Sequence, residues 1–192
     1  MLTLRTPLTA SIALAAYGLL VAAAPACAQQ LDAPKSEINF TFKQMGVPVD
    51  GKFRKFDAQI SFDPKKPAAG TVKIDIETGS AAIGAEADSE VVKPTWLNVA
   101  GFPKASFSAT GLKAMGGGKF EATGTLTIKG KAQPLTVPVA LTQAGGVSTA
   151  TGSFAIKRLD FKIGEGEWAD TSMVANDVQV RFKFALKGMA PL

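Results

Sequence analysis

The side chains that carry most protein chemistry near neutral pH are scarce in this sequence. Its 192 residues include no histidine and one cysteine, Cys27. Histidine is the usual general base and the commonest metal ligand. Cys27 lies in a leader segment described below. Serine–histidine and cysteine–histidine catalysis are therefore excluded, as are ordinary zinc sites. Carboxylate and lysine chemistry remain. Glu165 and Glu167 flank Gly166, ahead of Trp168 and Asp170. Such a group would serve as a paired acid and base, as in glycosidases, or as a calcium site. Nothing fixes the separation of these carboxylates, and the glycines beside them indicate a flexible loop. Asp88 and Glu90 read as a solvated face. Asn39-Phe40-Thr41 matches a glycosylation sequon, but it falls within a strand pattern. The expectation is a protein that is not an enzyme, with no catalytic residue, no metal ligand and no cofactor.

The first residues indicate export. Arg5 is the only charge before Ala28, an apolar run follows from Ile12 to Ala24, and Ala26-Cys27-Ala28 ends it. A positive start, an apolar middle and an A-x-A site make a cleavable signal peptide. The run is short for a spanning helix, which needs roughly 20 apolar residues. The expected organisation is a signal peptide over 1–28 and one domain over 29–192, located in the periplasm. Cleavage after Ala28 leaves no cysteine and hence no disulfide framework. Lipidation of Cys27 is the alternative, but Ala24-Pro25-Ala26 lacks the leucine usual at such sites.

Removing Arg5 lowers the formal net charge from +5 to +4. The densest basic group is Lys52, Arg54, Lys55, Lys65 and Lys66. It reads as a solvated strand face and loop. A transient contact with a membrane surface is its functional alternative. No nucleic-acid partner is expected.

Period-2 alternation dominates the rest, and it marks strands with one buried face. It runs through Ile38, Phe40 and Phe42; Phe56, Ala58, Ile60 and Phe62; Val72, Ile74 and Ile76; Phe120 to Ile128; Leu135 to Leu141; and Val178 to Leu186. Weaker strands fit Ala105–Leu112 and Val147–Arg158. The total is about eight, a common number for an antiparallel barrel. Gly116-Gly117-Gly118, Gly145-Gly146 and Lys129-Gly130-Lys131 read as hairpin connections, and Asp63-Pro64-Lys65-Lys66-Pro67 as a turn or loop. Pro138 within a strand pattern suggests an edge or a bulge. Ala85 to Leu97 breaks the pattern. It reads as one or two helical turns interrupted at Pro94, between the third and fourth expected strands, placed as a lid or plug near a barrel end.

All twelve phenylalanines follow the leader, and the one tyrosine, Tyr17, lies inside it. An inward face of Phe, Ile, Val and Leu suits a hydrocarbon chain. The expected inward set is Phe40, Phe42, Phe56, Ile60, Phe62, Ile74, Ile76, Phe107, Phe120, Leu126, Val137, Val139, Phe154, Val180, Phe182 and Phe184, with Trp96 and Leu97 closing one end. Alternation alone leaves open whether these residues fill the barrel or line a cavity.

Several segments together resemble the YceI-like family of bacterial periplasmic lipid-binding proteins. Ser36 to Phe42 leading to Val49-Asp-Gly-Lys-Phe53 is similar to that family's opening strand and its glycine–phenylalanine step. Phe62-Asp63-Pro64, Trp96-Leu97, Phe102-Pro103 and Phe107 fit further along. Gly124-Thr-Leu-Thr-Ile-Lys-Gly130 is the most specific match, and Arg158, Asp160 and Phe161 fit a late motif. The resemblance spans Leu31 to Leu186. It implies an all-β, antiparallel, lipocalin-like barrel. It also implies a long-chain lipid or isoprenoid as ligand: a polyprenyl chain, a quinone tail or a fatty-acid derivative. Two positions depart from the family: Gln44 stands where many members have histidine, and Lys162 where a glycine is common. The resulting expectation is a binding or carrier protein. The alternative is a structural or stress-response barrel filled by its own side chains.

Overall fold

The computed structural model describes residues 28–192. Residues 1–27 of the expected leader, with Arg5 and Cys27, lie outside them. The described residues form one curled antiparallel sheet: β1 (Gln30–Leu31), β2 (Glu37–Gln44), β3 (Val47–Phe53), β4 (Phe56–Ser61), β5 (Thr71–Glu77), β6 (Ala81–Ala82), β7 (Lys104–Gly116), β8 (Lys119–Ile128), β9 (Lys131–Ala144), β10 (Val147–Lys157) and β11 (Asp177–Lys187). Helix α1 (Ala85–Val91) lies between β6 and β7. The strand order is β4-β5-β7-β8-β9-β10-β11-β2-β3-β6. The sheet curls until its ends approach. β2 pairs with β11 over Gln179 to Lys183, and β1 continues along the same edge at Leu186 and Lys187. Gln29, just before β1, bridges to Ile60 on β4.

All eight expected strands are present, and β1, β3 and β6 are additional. β3 escaped the alternation for a steric reason. Its register pairs Val49, Gly51 and Phe53 with Phe42, Phe40 and Ile38. A Cβ at position 51 would overlap the Phe40 ring. Glycine therefore stands where the pattern calls for an apolar side chain. β1 and β6 have two residues each, too few to show any period.

Three hairpins close through two-residue turns with both residues left-handed: Met45-Gly46, Lys129-Gly130 and Gly145-Gly146. This is the type I′ geometry that matches strand twist. Pro138 pairs with Glu121 on β8, while pairing with β10 ends at Ala140 and Thr151. The proline thus sits just beyond the end of the β9–β10 ladder, where a missing N–H breaks no ladder bond, although Gly152 of β10 still lies against its carbonyl. Lys162 ends a short 3-10 turn with φ of +57°. That left-handed geometry explains why glycine suits the position.

Close approach of β7 and β8 calls for small residues. Gly124 on β8 faces Ala109 on β7. A Cβ there would overlap the Ser108 carbonyl oxygen and approach the Ala109 Cβ to 2.9 Å. Backbone cannot move aside cheaply, so Gly124→Val should cost about 1–3 kcal/mol. In urea titrations the midpoint should fall with the slope unchanged. An unchanged midpoint would show that β7 and β8 are not held this closely.

Candidate ligand chambers and their cap

The inner faces enclose two apolar chambers. The inner one has a volume of about 120 Å³ and is walled by Ile60 and Phe62 of the β4 side, Ile74, Phe120, Leu141 and Leu186, with Met189 of the C-terminal tail at its margin. The other lies under the cap, has a volume of about 150 Å³, and is walled by Phe40, Phe42, Ile83, Trp96, Leu97 and Val174. Ile38, Ile76, Leu126, Phe154 and Val180 line both, so they form the waist between them. Apolar space of about 150 Å³ is enough to stay dry and take up a benzene-sized group.

Seventeen of the eighteen expected residues line one or both chambers. Phe56 is the exception. It packs on Phe184 at 5.8 Å between ring centroids, against the core, and borders a cleft between β3 and β4. It sits at the first position of an end strand, where the barrel wall is incomplete. That same cleft holds Lys52, Arg54, Lys55 and Lys104 beside Glu37, Asp57, Asp75 and Glu77. Its charges balance. Lys65 and Lys66 lie apart, on the loop after β4.

The cap is built on Arg158, whose role sequence reasoning did not assign. Phe154, Ile156 and Arg158 share the inward alternation at the end of β10, and an arginine on that face was the available signal. Arg158 is 2% exposed. Its Nε donates to the Ala175 carbonyl at 3.1 Å, Nη1 to those of Ile163 and Gly164 at 2.8 and 3.1 Å, and Nη2 to those of Trp168 and Val174 at 2.6 and 2.7 Å. The planar fork of five donors is thereby used against five carbonyls. Burial pushes the guanidinium below its ordinary pKa, yet an arginine stays charged in proteins. Gly164 has φ of +77°, and a Cβ there would strike Nη1. Trp96 lies beneath, with Arg158 Cζ 6.0 Å from its ring centroid and the Trp168 ring 5.4 Å away. The Trp96 indole N–H is buried and has no hydrogen-bond partner among the described residues.

The segment expected to be a flexible loop is therefore pinned. Besides the arginine contacts, the amides of Gly164 and Glu165 donate to the Thr95 carbonyl at 2.8 and 2.9 Å. Glu165 accepts from Lys129 Nζ at 2.8 Å, and the same ammonium donates to the Lys162 carbonyl. That side chain is buried at the β8–β9 turn, so the hairpin is tied to the cap. Asp170 accepts from the Ser172 amide. Asp88 is not simply solvated: its carboxylate accepts from the amides of Ile83 and Gly84, which hold it below the usual carboxylate range. Glu90 pairs with Lys93. Among the described residues, no group of three or more carboxylates or cysteines is arranged to hold a metal ion.

An antiparallel barrel with an apolar lumen under a pinned cap places the molecule among the lipocalin-like β-barrels. The chain belongs to the YceI family: the YceI-like domain model matches residues 29–186. It is 41% identical to Burkholderia cenocepacia BcnA, whose crystal structure superposes with a TM-score of 0.79 over 81% of this chain and 99% of that one. A polyisoprenoid binding domain from Saccharophagus degradans shares the fold at 17% identity, with a TM-score of 0.66 over 85% and 98% of the two chains. A UPF0312 protein of Azotobacter vinelandii is 37% identical over 102 residues, 52% of this chain and 53% of the relative. One from Yersinia pestis is 38% identical over 110 residues, 56% and 57% of the two chains. The chain thus spans about half the length of the curated relatives it matches.

Two variants test the cap. Arg158→Met keeps a long apolar stem but leaves five carbonyls without their donors, and should lower unfolding free energy by at least about 3 kcal/mol. Arg158→Lys should recover little of this, since three donors on a point charge cannot span the fork. Full recovery with lysine would show that charge alone suffices. The second variant is Glu165→Gln. The hydrogen bond from Lys129 holds the Glu165 carboxyl below its ordinary value of 4.5. Its contribution is complete above that value and is lost as pH falls through the lowered native one. Melting temperatures of parent and variant should differ at pH 7 and converge in acid. A difference independent of pH would show that Glu165 acts by packing.

Proposed function

We propose that this is an exported, periplasmic carrier that sequesters a long-chain lipid, its tail threaded through the two chambers. The observation that carries the reading is the unfilled apolar space on both sides of the waist at Leu126, Phe154 and Val180. A barrel filled by its own side chains would leave no such space. The polyisoprenoid chain bound by the Saccharophagus degradans domain is one ligand of this class; a quinone tail or an acyl chain has the same chemistry along its length. Each apolar carbon moved from water to the chambers gains about 25 cal/mol per Å² of surface, before the costs of binding. An oxygen on the ligand near the cap would satisfy the buried Trp96 indole N–H. Transport is binding and release; no covalent step is involved.

The test is an organic extract of the protein purified from its native host, analysed by mass spectrometry, alongside Val180→Phe. The extract should contain one class of long-chain lipid in near-stoichiometric amount. The variant fills the waist. It should lose bound lipid several-fold while unfolding free energy changes by less than about 1 kcal/mol, or rises, as cavity-filling changes do. In a barrel already filled, the added ring would instead cost about 1–3 kcal/mol. That outcome, with no lipid in the parent extract, would end the carrier reading.

A further inference from the structure

We propose that the tip of the β2–β3 hairpin, together with Met173 of the cap, is a membrane-docking surface that inserts into the headgroup–acyl boundary of a phospholipid bilayer. The inference rests on the carrier reading, because a carrier of water-insoluble lipid has to meet the bilayer that supplies or receives it. It places that contact away from the basic cluster of Lys52, Arg54 and Lys55.

Met45, Val47 and Met173 are 76%, 62% and 44% exposed. Cleavage of a leader can only raise these exposures. The three stand together because the Met45 amide donates to the Met173 carbonyl at 2.7 Å and the Ala175 amide to the Lys43 carbonyl at 2.9 Å, with Gln44 bridged to Val174. The tip is thus tied to the cap, and its side chains project from a held backbone. Turn chemistry does not explain the methionine. Met45 takes the first left-handed position of the type I′ turn, with φ of +51°. Asn, Asp or Gly suits that position, and a methionine that stands mostly in water gains little packing in exchange.

Size and charge select a bilayer as the occupant. The three side chains offer on the order of 300 Å² of apolar surface, against roughly 800 Å² per partner in a specific protein interface. A projecting apolar tip of that size suits shallow insertion among lipids, where only the apolar part need leave water. The charged residues nearest in sequence, Lys43 and Asp170, are of opposite sign. Glu86 and Glu90 of α1 line the groove beside the tip. The attraction is therefore apolar and not a matter of anionic head groups. That groove, bordered by the hairpin and α1, shares Phe42, Ile83, Val91, Trp96 and Val174 with the cap chamber. A single layer of side chains there separates the chamber from the surface that docking brings to the bilayer.

The experiment floats the mature protein, purified from cells expressing the full sequence, with vesicles of phosphatidylcholine and phosphatidylethanolamine. The parent should bind, and binding should persist in high salt. The double variant Met45→Asn, Met173→Gln should bind about tenfold less. It should melt at or above the parent, since asparagine suits the turn, so the loss is not unfolding. Methionine oxidation by peroxide gives a second readout on the unaltered chain. Vesicles should protect Met45 and Met173 but not Met115, which is 50% exposed at the end of β7. No binding by the parent, equal binding by the variant, or protection of Met115 alone would overturn the proposal. Binding that needs phosphatidylglycerol and is abolished by salt would also overturn it, and would assign the contact to basic side chains. So would a dimer in sedimentation that the double variant abolishes, which would assign the tip to a second copy of the chain. The lipid extract is read separately: lipid in the extract with no vesicle binding strikes docking alone and leaves the carrier reading standing.

Discussion

One buried guanidinium sets the conditions for the closed end of this barrel. The chain from Arg158 to Asn176 is irregular, and irregular backbone covering an apolar space carries carbonyls with no strand to receive them. Arg158 answers five of these at once. No carboxylate is needed, because carbonyl dipoles from several directions solvate the charge as water would. Lysine cannot do this, since its three donors radiate from one point. The neighbouring residues follow from that choice. Gly164 is small because the guanidinium passes where a Cβ would sit. Asn176 supplies both its carbonyl and its side-chain oxygen to the amides of Arg158 and Leu159. Trp96 offers a ring face to the cation.

Inside the barrel the governing constraint is the distribution of volume. Aromatic rings cluster in contact: Phe62 meets Phe120 edge to face at 5.0 Å, and Phe182 stacks with Phe184 at 5.0 Å. The Phe182 ring lies over Gly152 and the Phe40 ring over Gly51, and the inner chamber wall includes Ala122 and Ala150. Rings that lie over glycines leave the centre of the lumen under-filled, whereas alternating medium-sized aliphatics would have met across it. The chambers thus follow from where the small residues stand, and the count of apolar residues does not reveal them.

That distinction explains what could be read from the sequence. Strands such as Phe120–Ile128 and Val178–Leu186 were legible because a solvated outer face forces strict alternation. β3 was hidden because Gly51 replaces a side chain to admit the Phe40 ring, a relation between strands that no single-strand pattern contains. Fifteen chamber-lining residues were legible by the same alternation; Phe56 shares that alternation and packs against the core, but its strand ends the sheet and it lines neither chamber. Whether the lumen was filled could not be read, since ring orientation decides it. The order around Glu165 was also hidden. Two glycines suggested mobility, and the contacts that remove it come from Arg158, Thr95 and Lys129, the last from 36 residues away in sequence. The arginine itself, on an apolar face at the end of β10, was the one local sign that a buried polar network lay there.

The enclosing elements differ in kind, and that gives the barrel a stiff end and a soft side. The cap is held by charge-assisted bonds to Arg158, each worth about 1.5–3 kcal/mol. The C-terminal tail is held over its side of the barrel by the neutral amide of Gln143, which donates to the Ala190 carbonyl and accepts from the Leu192 amide. At the seam Gln29 donates to the Ile60 carbonyl and accepts from the Phe62 amide, neutral bonds each nearer about 1 kcal/mol. Local opening follows the weakest cooperative unit. The neutral bonds of Gln143 and Gln29 are therefore weaker individually than the charge-assisted bonds that hold the cap. The cap covers the other chamber with a charge that no thermal fluctuation of a few RT can leave without partners. A hydrophobic chain inside such a body would be screened from water most firmly at the Trp96 end, with Gln29 and the segment from Ala190 to Leu192 over the other side.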